Sequence, residues 1–254
     1  MSESSSLQER AERLAKARFV GGPAYLFERM GRLWFEALVR EGLLPSSRLL
    51  DVGCGTLRLG YWLMHFLEPG HYYGLEPQVD MLEAGRTEII EPHVLERAKP
   101  HFAHNFDFDF SVLDARFDYV VACSVWTHAS KTQISAMLAS FAATSSPGAV
   151  FLASYHPASR WFVLERRWPR LRHVMTVPPL DKMTPLLVRV PSLGRSREYQ
   201  GETWVGRSHE SDEVGIVKHS LRWVVAEAAR HGLRAQLMPY PIIQHQYWLR
   251  MTHA

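Results

Sequence analysis

The chain has 254 residues, 46% of them hydrophobic, enough apolar material for one large α/β domain with a substantial core. A formal charge of +3 is too small by itself to argue for a nucleic-acid partner, and the two cysteines, Cys54 and Cys123, have neither metal-ligand spacing nor the makings of a disulfide framework. No apolar run approaches the roughly 18–20 residues of a membrane span, and the Ser-rich, then charged start does not read as a secretory leader, so the expected setting is the reducing cytoplasm, with no membrane partner.

Residues 1–6 are rich in Ser and Glu and are expected to be disordered. Leu7, Ala11, Leu14 and Ala15 give a short amphipathic helix to about Lys16, which Gly21-Gly22-Pro23 interrupts. Pro23 suits the first turn of a second helix, carrying Tyr25, Phe27, Met30, Trp34 and Leu38 and stopping at Gly42. These two helices form an expected N-terminal cap over residues 1–45.

Arg48 to Gly60 then reads as a short apolar strand, a turn that needs glycine at Gly53 and Gly55, and a helix starting near Leu57. His71 to Leu75 is a second strand, ending in Glu76. An acid at the tip of the second strand, about twenty residues past the glycines, is placed to take both hydroxyls of a ribose. Strand, glycine turn, helix, strand and acid together make a nucleoside-binding βαβ unit. A dinucleotide site would want a third glycine where Arg58 stands, so the pattern departs from the nicotinamide and flavin fingerprint.

Helices follow from about Gln78 to Thr87 and from Pro92 to Ala98, then a short third strand near Phe102-Ala103-His104. A fourth strand covers about Asp118 to Ala122, a helix Lys131 to Thr144, and Ser145-Ser146-Pro147-Gly148 turns into a fifth strand ending at Tyr155-His156. The stretch 157–216 is the least regular: it holds six prolines, and between His156 and Gln200 nine Lys/Arg stand against three Asp/Glu. An insertion of this kind, after a strand that ends at the crevice, reads as a substrate lid. Its basic face suits a carboxylate, phosphate or sulfate, and reads as readily as a solvated surface or a contact between two copies of the chain in a homodimer. Lys218 to His231 fits a helix with Gly232 as its stop; Leu233 to Met238 and Tyr247 to Met251 are the last two strands, closing the sheet as a terminal hairpin over 217–254.

The run Leu49-Leu50-Asp51-Val52-Gly53-Cys54-Gly55-Thr56 resembles motif I of the class I, Rossmann-like S-adenosylmethionine-dependent methyltransferases. Tyr73-Gly74-Leu75-Glu76-Pro77 resembles the second motif of that family, Phe117 to His128 its fourth strand and following loop, and Gly148 to Tyr155 its fifth strand, so the likeness covers roughly residues 46–156. It implies a seven-stranded, mostly parallel sheet with a terminal antiparallel hairpin, and S-adenosyl-L-methionine as cofactor. It implies cofactor contacts at Asp51, Gly53, Cys54, Gly55, Thr56, Arg58, Glu76 and Pro77, at Cys123, Ser124 and Val125 after the fourth strand, and at Asn105, Phe106 and Asp107 after the third. Helices before the first strand often cross the pocket in this family, which makes Tyr25 and Phe27 candidate lid residues; a stripe that simply docks on the sheet is the other reading. Metal is not expected.

Carboxyl ends of parallel strands at the switch point form the ligand crevice, so His156 and His128 are candidate bases. His128 reads equally as a helix-opening residue, with Thr127 or Ser130 as the cap. A sulfonium methyl is already activated, so alignment is the main requirement, and a base helps only an acceptor that must lose a proton. The expected function is methylation of a small molecule at oxygen or nitrogen. A nicotinamide-dependent oxidoreductase, an RNA methyltransferase and a binding protein without catalysis are the alternatives. Arg58 and the terminal hairpin argue against the first, and Cys123-Ser124-Val125-Trp126 in place of a base-flipping motif argues against the second.

Overall fold

The strands need both faces buried, and the sequence supplies this with near-continuous apolar runs. The computed structural model describes residues 5–156, 217, 219–238 and 246–254. In chain order it has α1 (Leu7–Ala15), α2 (Phe27–Arg40), β1 (Leu49–Val52), α3 (Gly60–Phe66), β2 (Tyr72–Leu75), α4 (Val79–Ala84), α5 (Pro92–Ala98), β3 (His101–Ala103), β4 (Phe117–Ala122), α6 (Lys131–Thr144), β5 (Ser145–Tyr155), α7 (Leu221–Arg230), β6 (Leu233–Leu237) and β7 (Tyr247–His253). The seven strands form one sheet in the order β3-β2-β1-β4-β5-β7-β6. β1 to β5 run parallel, and β7 is antiparallel to both β5 and β6. This is the architecture that the sequence predicts.

Strand alternation divides the core in two. Leu49, Tyr72, Val121, Leu152 and Trp248 face one apolar cluster, with Leu14 of α1, Phe27 and Trp34 of α2, and Leu63 of α3. Their chain neighbours Leu50, Tyr73, Val120, Phe151 and Leu249 face the other, with Ile134 and Phe141 of α6 and Val224 of α7. The predicted N-terminal helices therefore cover one face of the sheet. Gly31 of α2 lets that helix come down on the glycine turn: a Cβ at this position would lie 2.4 Å from the Arg58 carbonyl oxygen.

Helix starts follow side-chain caps. Ser6 and Ser130 each close a capping box, with Glu9 and Gln133, and Ser220 accepts from Trp223 N at 3.1 Å to open α7. Ser130, rather than Thr127, is thus the cap of α6, and α7 begins at Leu221 instead of Lys218.

Three other expectations are corrected. The helix after the glycine turn starts at Gly60, not near Leu57, because Leu57 sits at φ 62, which no right-handed helix admits. The helix expected over 78–87 is α4 followed by a π-helical turn, Gly85–Ile89, where Ile90 N reaches back five residues to Gly85 O (3.1 Å). The turn at Ser145 to Gly148 is the irregular opening of β5. Its pairing jumps from Phe117↔Ser145 to Tyr119↔Val150, so the intervening residues bulge. The insertion 157–216 lies outside the described residues. Among the described residues no helix is long and apolar enough to cross a membrane.

Candidate functional site

β1 leads to β2 on one side and β4 lies on its other side, so the sheet order reverses between β1 and β4. A crevice opens at the carboxyl ends of strands flanking such a point. Here it is a cleft with about 690 Å³ of unfilled space counted out to its open mouth, lined from β1 and its turn by Asp51, Gly53, Cys54, Gly55, Thr56, Arg58 and Leu59. Glu76, Gln78 and Met81 close it from the β2 side, Cys123, Ser124 and Val125 from the β4 side, and Val20, Gly21 and Trp34 from the N-terminal helices.

The turn is pinned by backbone bonds from Gly53 N and Cys54 N to Leu75 O, at 2.7 and 3.3 Å. Gly53 is required twice over. Its φ is 67°, and a Cβ there would stand 2.6 Å from Val125 Cγ2. Glu76 follows β2 directly and is 5% exposed. Its Oε2 accepts from Gly55 N at 2.8 Å and its Oε1 from Gln78 N at 3.0 Å. A carboxylate has about four acceptor positions, so each oxygen keeps capacity for a further donor. Burial pushes the Glu76 carboxyl up from its usual range, against the pull of those two amides.

Asp51 is 2% exposed and accepts from the Tyr72 hydroxyl at 3.1 Å. Burial raises its carboxyl to about 7, with the neighbouring Glu76 adding to the rise and the Tyr72 bond opposing it. The Cys54 and Cys123 thiols are likewise pushed up by burial, so neither is a ready nucleophile. Arg58 is buried, and desolvation lowers its guanidinium to about 10.

Ser124 sits at φ 62, a costly conformation for a residue with a side chain. Hydrogen bonds hold it there: Ser124 N donates to Ser154 Oγ (2.7 Å), Ser154 Oγ to Gln246 Oε1, and Gln246 Nε2 to Ser124 Oγ (2.8 Å). The loop after β4 is thereby tied to β5 and to the residue preceding β7.

The structure therefore gathers Asp51, Gly53, Cys54, Gly55, Thr56, Arg58, Glu76, Cys123, Ser124 and Val125 around one cleft. Pro77, Asn105, Phe106, Asp107, Tyr25, His128 and His156 do not line it. Asn105 is engaged within its own loop, donating to Asp109 O and accepting from Phe108 N, while the Phe106 ring is 64% exposed. Tyr25 projects into solvent, 71% exposed, whereas Phe27 is fully buried in the core. His156 is buried immediately after β5, and its carbonyl accepts from His219 N at 3.0 Å. His128 N donates to Val125 O at 3.0 Å, in the turn before α6.

Sequence reasoning misses Val20, Gly21, Trp34, Leu59, Gln78 and Met81. The Gly21-Gly22 pair was a usable signal, since such a link lets backbone approach a ligand closely. The others carry no mark that separates them from ordinary packing residues. Among the described residues no group of three His, Cys, Asp or Glu could hold a metal.

Residues 50–151 match the family model described as "Methyltransferase domain". Among solved structures, the chain is similar to magnesium protoporphyrin IX methyltransferase from Synechocystis PCC 6803 with bound SAH. The two are 15% identical over 97% of this chain and 94% of that one, with a TM-score of 0.55. The glycopeptide N-methyltransferase MtfA complexed with S-adenosylmethionine is 17% identical over 87% and 92%, with a TM-score of 0.55. DhpI in its SAH complex is 18% identical over 97% and 93%, with a TM-score of 0.53. The match and the fold agree: residues 50–151 match a methyltransferase domain, and the seven-stranded, Rossmann-like sheet around the glycine turn is the fold of these solved methyltransferases.

Proposed function

We propose that this protein transfers the methyl group of S-adenosylmethionine to an oxygen or nitrogen of a small molecule. The observation that carries the reading is Glu76, a buried carboxylate at the tip of β2 whose oxygens are already oriented by Gly55 N and Gln78 N. It suits the two ribose hydroxyls, and the glycine turn leaves room beside it for the rest of a nucleoside. Residues 50–151 match a methyltransferase domain, and solved structures of the same fold include a magnesium protoporphyrin IX methyltransferase and a glycopeptide N-methyltransferase.

When bound, the cofactor supplies an activated methyl on a sulfonium centre. The chain's part is to bind, align and exclude water. The rigid turn and the Ser124–Ser154–Gln246 bonds fix two walls of the cleft. Holding acceptor and methyl in line is worth up to roughly 7–11 kcal/mol of the barrier. An acceptor that must lose a proton passes it to a histidine at the same edge of the sheet. His156, directly after β5, is the first candidate and His128 the second, and the basic insertion 157–216 is the lid that selects an anionic acceptor. Of the residues beyond β3, Phe106 and Asp107 are the ones proposed for the adenine, since Asn105 spends both ends of its amide on its own loop. The domain limits follow: a cap over 1–45, a core over 46–156, the lid, and a closing segment over 217–254. The chain works in the cytoplasm, either alone or as a homodimer.

Calorimetry with S-adenosylhomocysteine and with NAD tests the reading at its root: the first is expected to bind and the second not. Once an acceptor is identified, His156→Ala and His128→Ala should each slow turnover while cofactor affinity stays unchanged. Normal turnover in both variants leaves alignment as the whole mechanism.

A further inference from the structure

Arg58 presents an unusual case of a buried charge. It is 4% exposed, and no carboxylate pairs with it among the described residues. Its Nη2 donates to Val20 O at 3.1 Å, and its Nη1 approaches Met30 Sδ at 3.6 Å. Its Cζ lies over two aromatic rings, 4.8 Å from the Phe27 centroid and 5.7 Å from that of Trp34. Its Nε has no hydrogen-bond partner. Arg58 nonetheless lines the cleft.

Burying a cation without an anion is expensive, and an unmet N–H adds to the cost. The aromatic rings offer the guanidinium no hydrogen-bond acceptor oxygen, and only one of its N–H groups is spent on a carbonyl, that of Val20. The remaining donors suit a single planar anion. Val20 itself belongs to the link between α1 and α2 and is held a second time, by Thr56 Oγ1 at 3.3 Å. Gly21 and Gly22, at φ 84 and 120, follow it.

We propose that Arg58 receives the carboxylate at the amino-acid end of the cofactor while it holds the Val20 carbonyl, so that the ligand and the α1–α2 link close on one guanidinium. The inference rests on the cofactor reading above and deepens it. The ligand supplies the anion that the fold omits, and its carboxylate orders the link that forms one wall of the cleft.

The test compares S-adenosylhomocysteine with its decarboxylated analogue, which keeps the nucleoside, the thioether and the amine. In the unaltered protein, calorimetry should show the analogue binding at least about tenfold more weakly, the scale of a hydrogen bond to a charged group. Amide exchange over residues 17–23 should slow with S-adenosylhomocysteine and stay fast with the analogue. Arg58→Gln should lose that preference and bind both ligands alike, while Arg58→Lys, which keeps the charge without the fork, should regain part of it. Equal binding of the two ligands by the unaltered protein overturns the proposal and leaves the methyltransferase reading intact, as does an unchanged preference in Arg58→Gln. Failure of both ligands to bind the unaltered protein overturns both. The comparison in the unaltered protein decides the matter even where Arg58→Gln fails to fold.

Discussion

Replacing Asp51 by Asn should stabilise the protein at neutral pH, and the gain should depend on pH in a defined direction. Asn has the shape of Asp and its carbonyl still accepts from the Tyr72 hydroxyl, so the change removes the charge and little else. The Asp51 carboxyl rises from an ordinary 3.8 to about 7 on folding, chiefly through burial. Between those values the folded chain holds a proton that the unfolded chain has released. The unfolded state then binds fewer protons, so stability falls as pH rises through this window. Each tenfold change in proton affinity is worth about 1.4 kcal/mol, which puts the full cost on the order of 4 kcal/mol above about pH 7. Urea unfolding followed by tryptophan fluorescence, at about pH 5 and about pH 8, measures the difference between the two proteins. The gap should be about 2 kcal/mol at the lower pH and about 4 kcal/mol at the higher. Parallel pH dependence in both proteins would show that Asp51 is ionised in the fold at little cost, and the account of this cleft as a desolvated acid site would fall.

Other expectations are as direct. Glu76→Ala removes the acceptor proposed for two ribose hydroxyls; at about 1.5–3 kcal/mol for each bond to a charged group, S-adenosylhomocysteine should bind at least ~100-fold more weakly, and unchanged affinity by calorimetry refutes the ribose role. Gly53→Ala puts a Cβ 2.6 Å from Val125 at φ 67, and should cost about 1–3 kcal/mol in denaturant unfolding; an unmoved midpoint contradicts the strain argument. Ser130→Ala removes the bond to Gln133 N, 3.2 Å long, and should cost about 1 kcal/mol while cofactor affinity holds, whereas a large loss of affinity would mean that the start of α6 belongs to the site.

The middle of the sheet was legible in the sequence because β1 and β2 are short, buried on both sides and followed by a glycine turn or an acid. The glycine turn and Glu76 were legible for a second reason: their chemistry is local, confined to one βαβ unit. What could not be read was set by distant partners. Leu57 is held in a left-handed conformation within a turn that α2 covers, so the start of α3 moves to Gly60. Val20 and Trp34 reach the cleft only because Gly31 lets α2 dock on that turn. Asn105 has the chemistry of an adenine contact, yet its own loop uses both ends of its amide. Arg58 was marked as a departure from the dinucleotide pattern; its burial between Phe27 and Trp34 needed the tertiary structure.

The edges of the matched segment bear on how the protein can be dissected. Residues 50–151 begin inside β1 and stop inside β5, and β5 is zipped to β7 from Phe151↔Met251 to Tyr155↔Tyr247. A fragment trimmed to that segment would shed two strands and the helical roof above the turn. It would also cut β5 at Phe151, taking away the partners of Val121 and Ala122 and leaving the end of β4 as a raw apolar rim, ready to pair with other copies. The smallest piece able to stand by itself therefore has to draw on both ends of the chain.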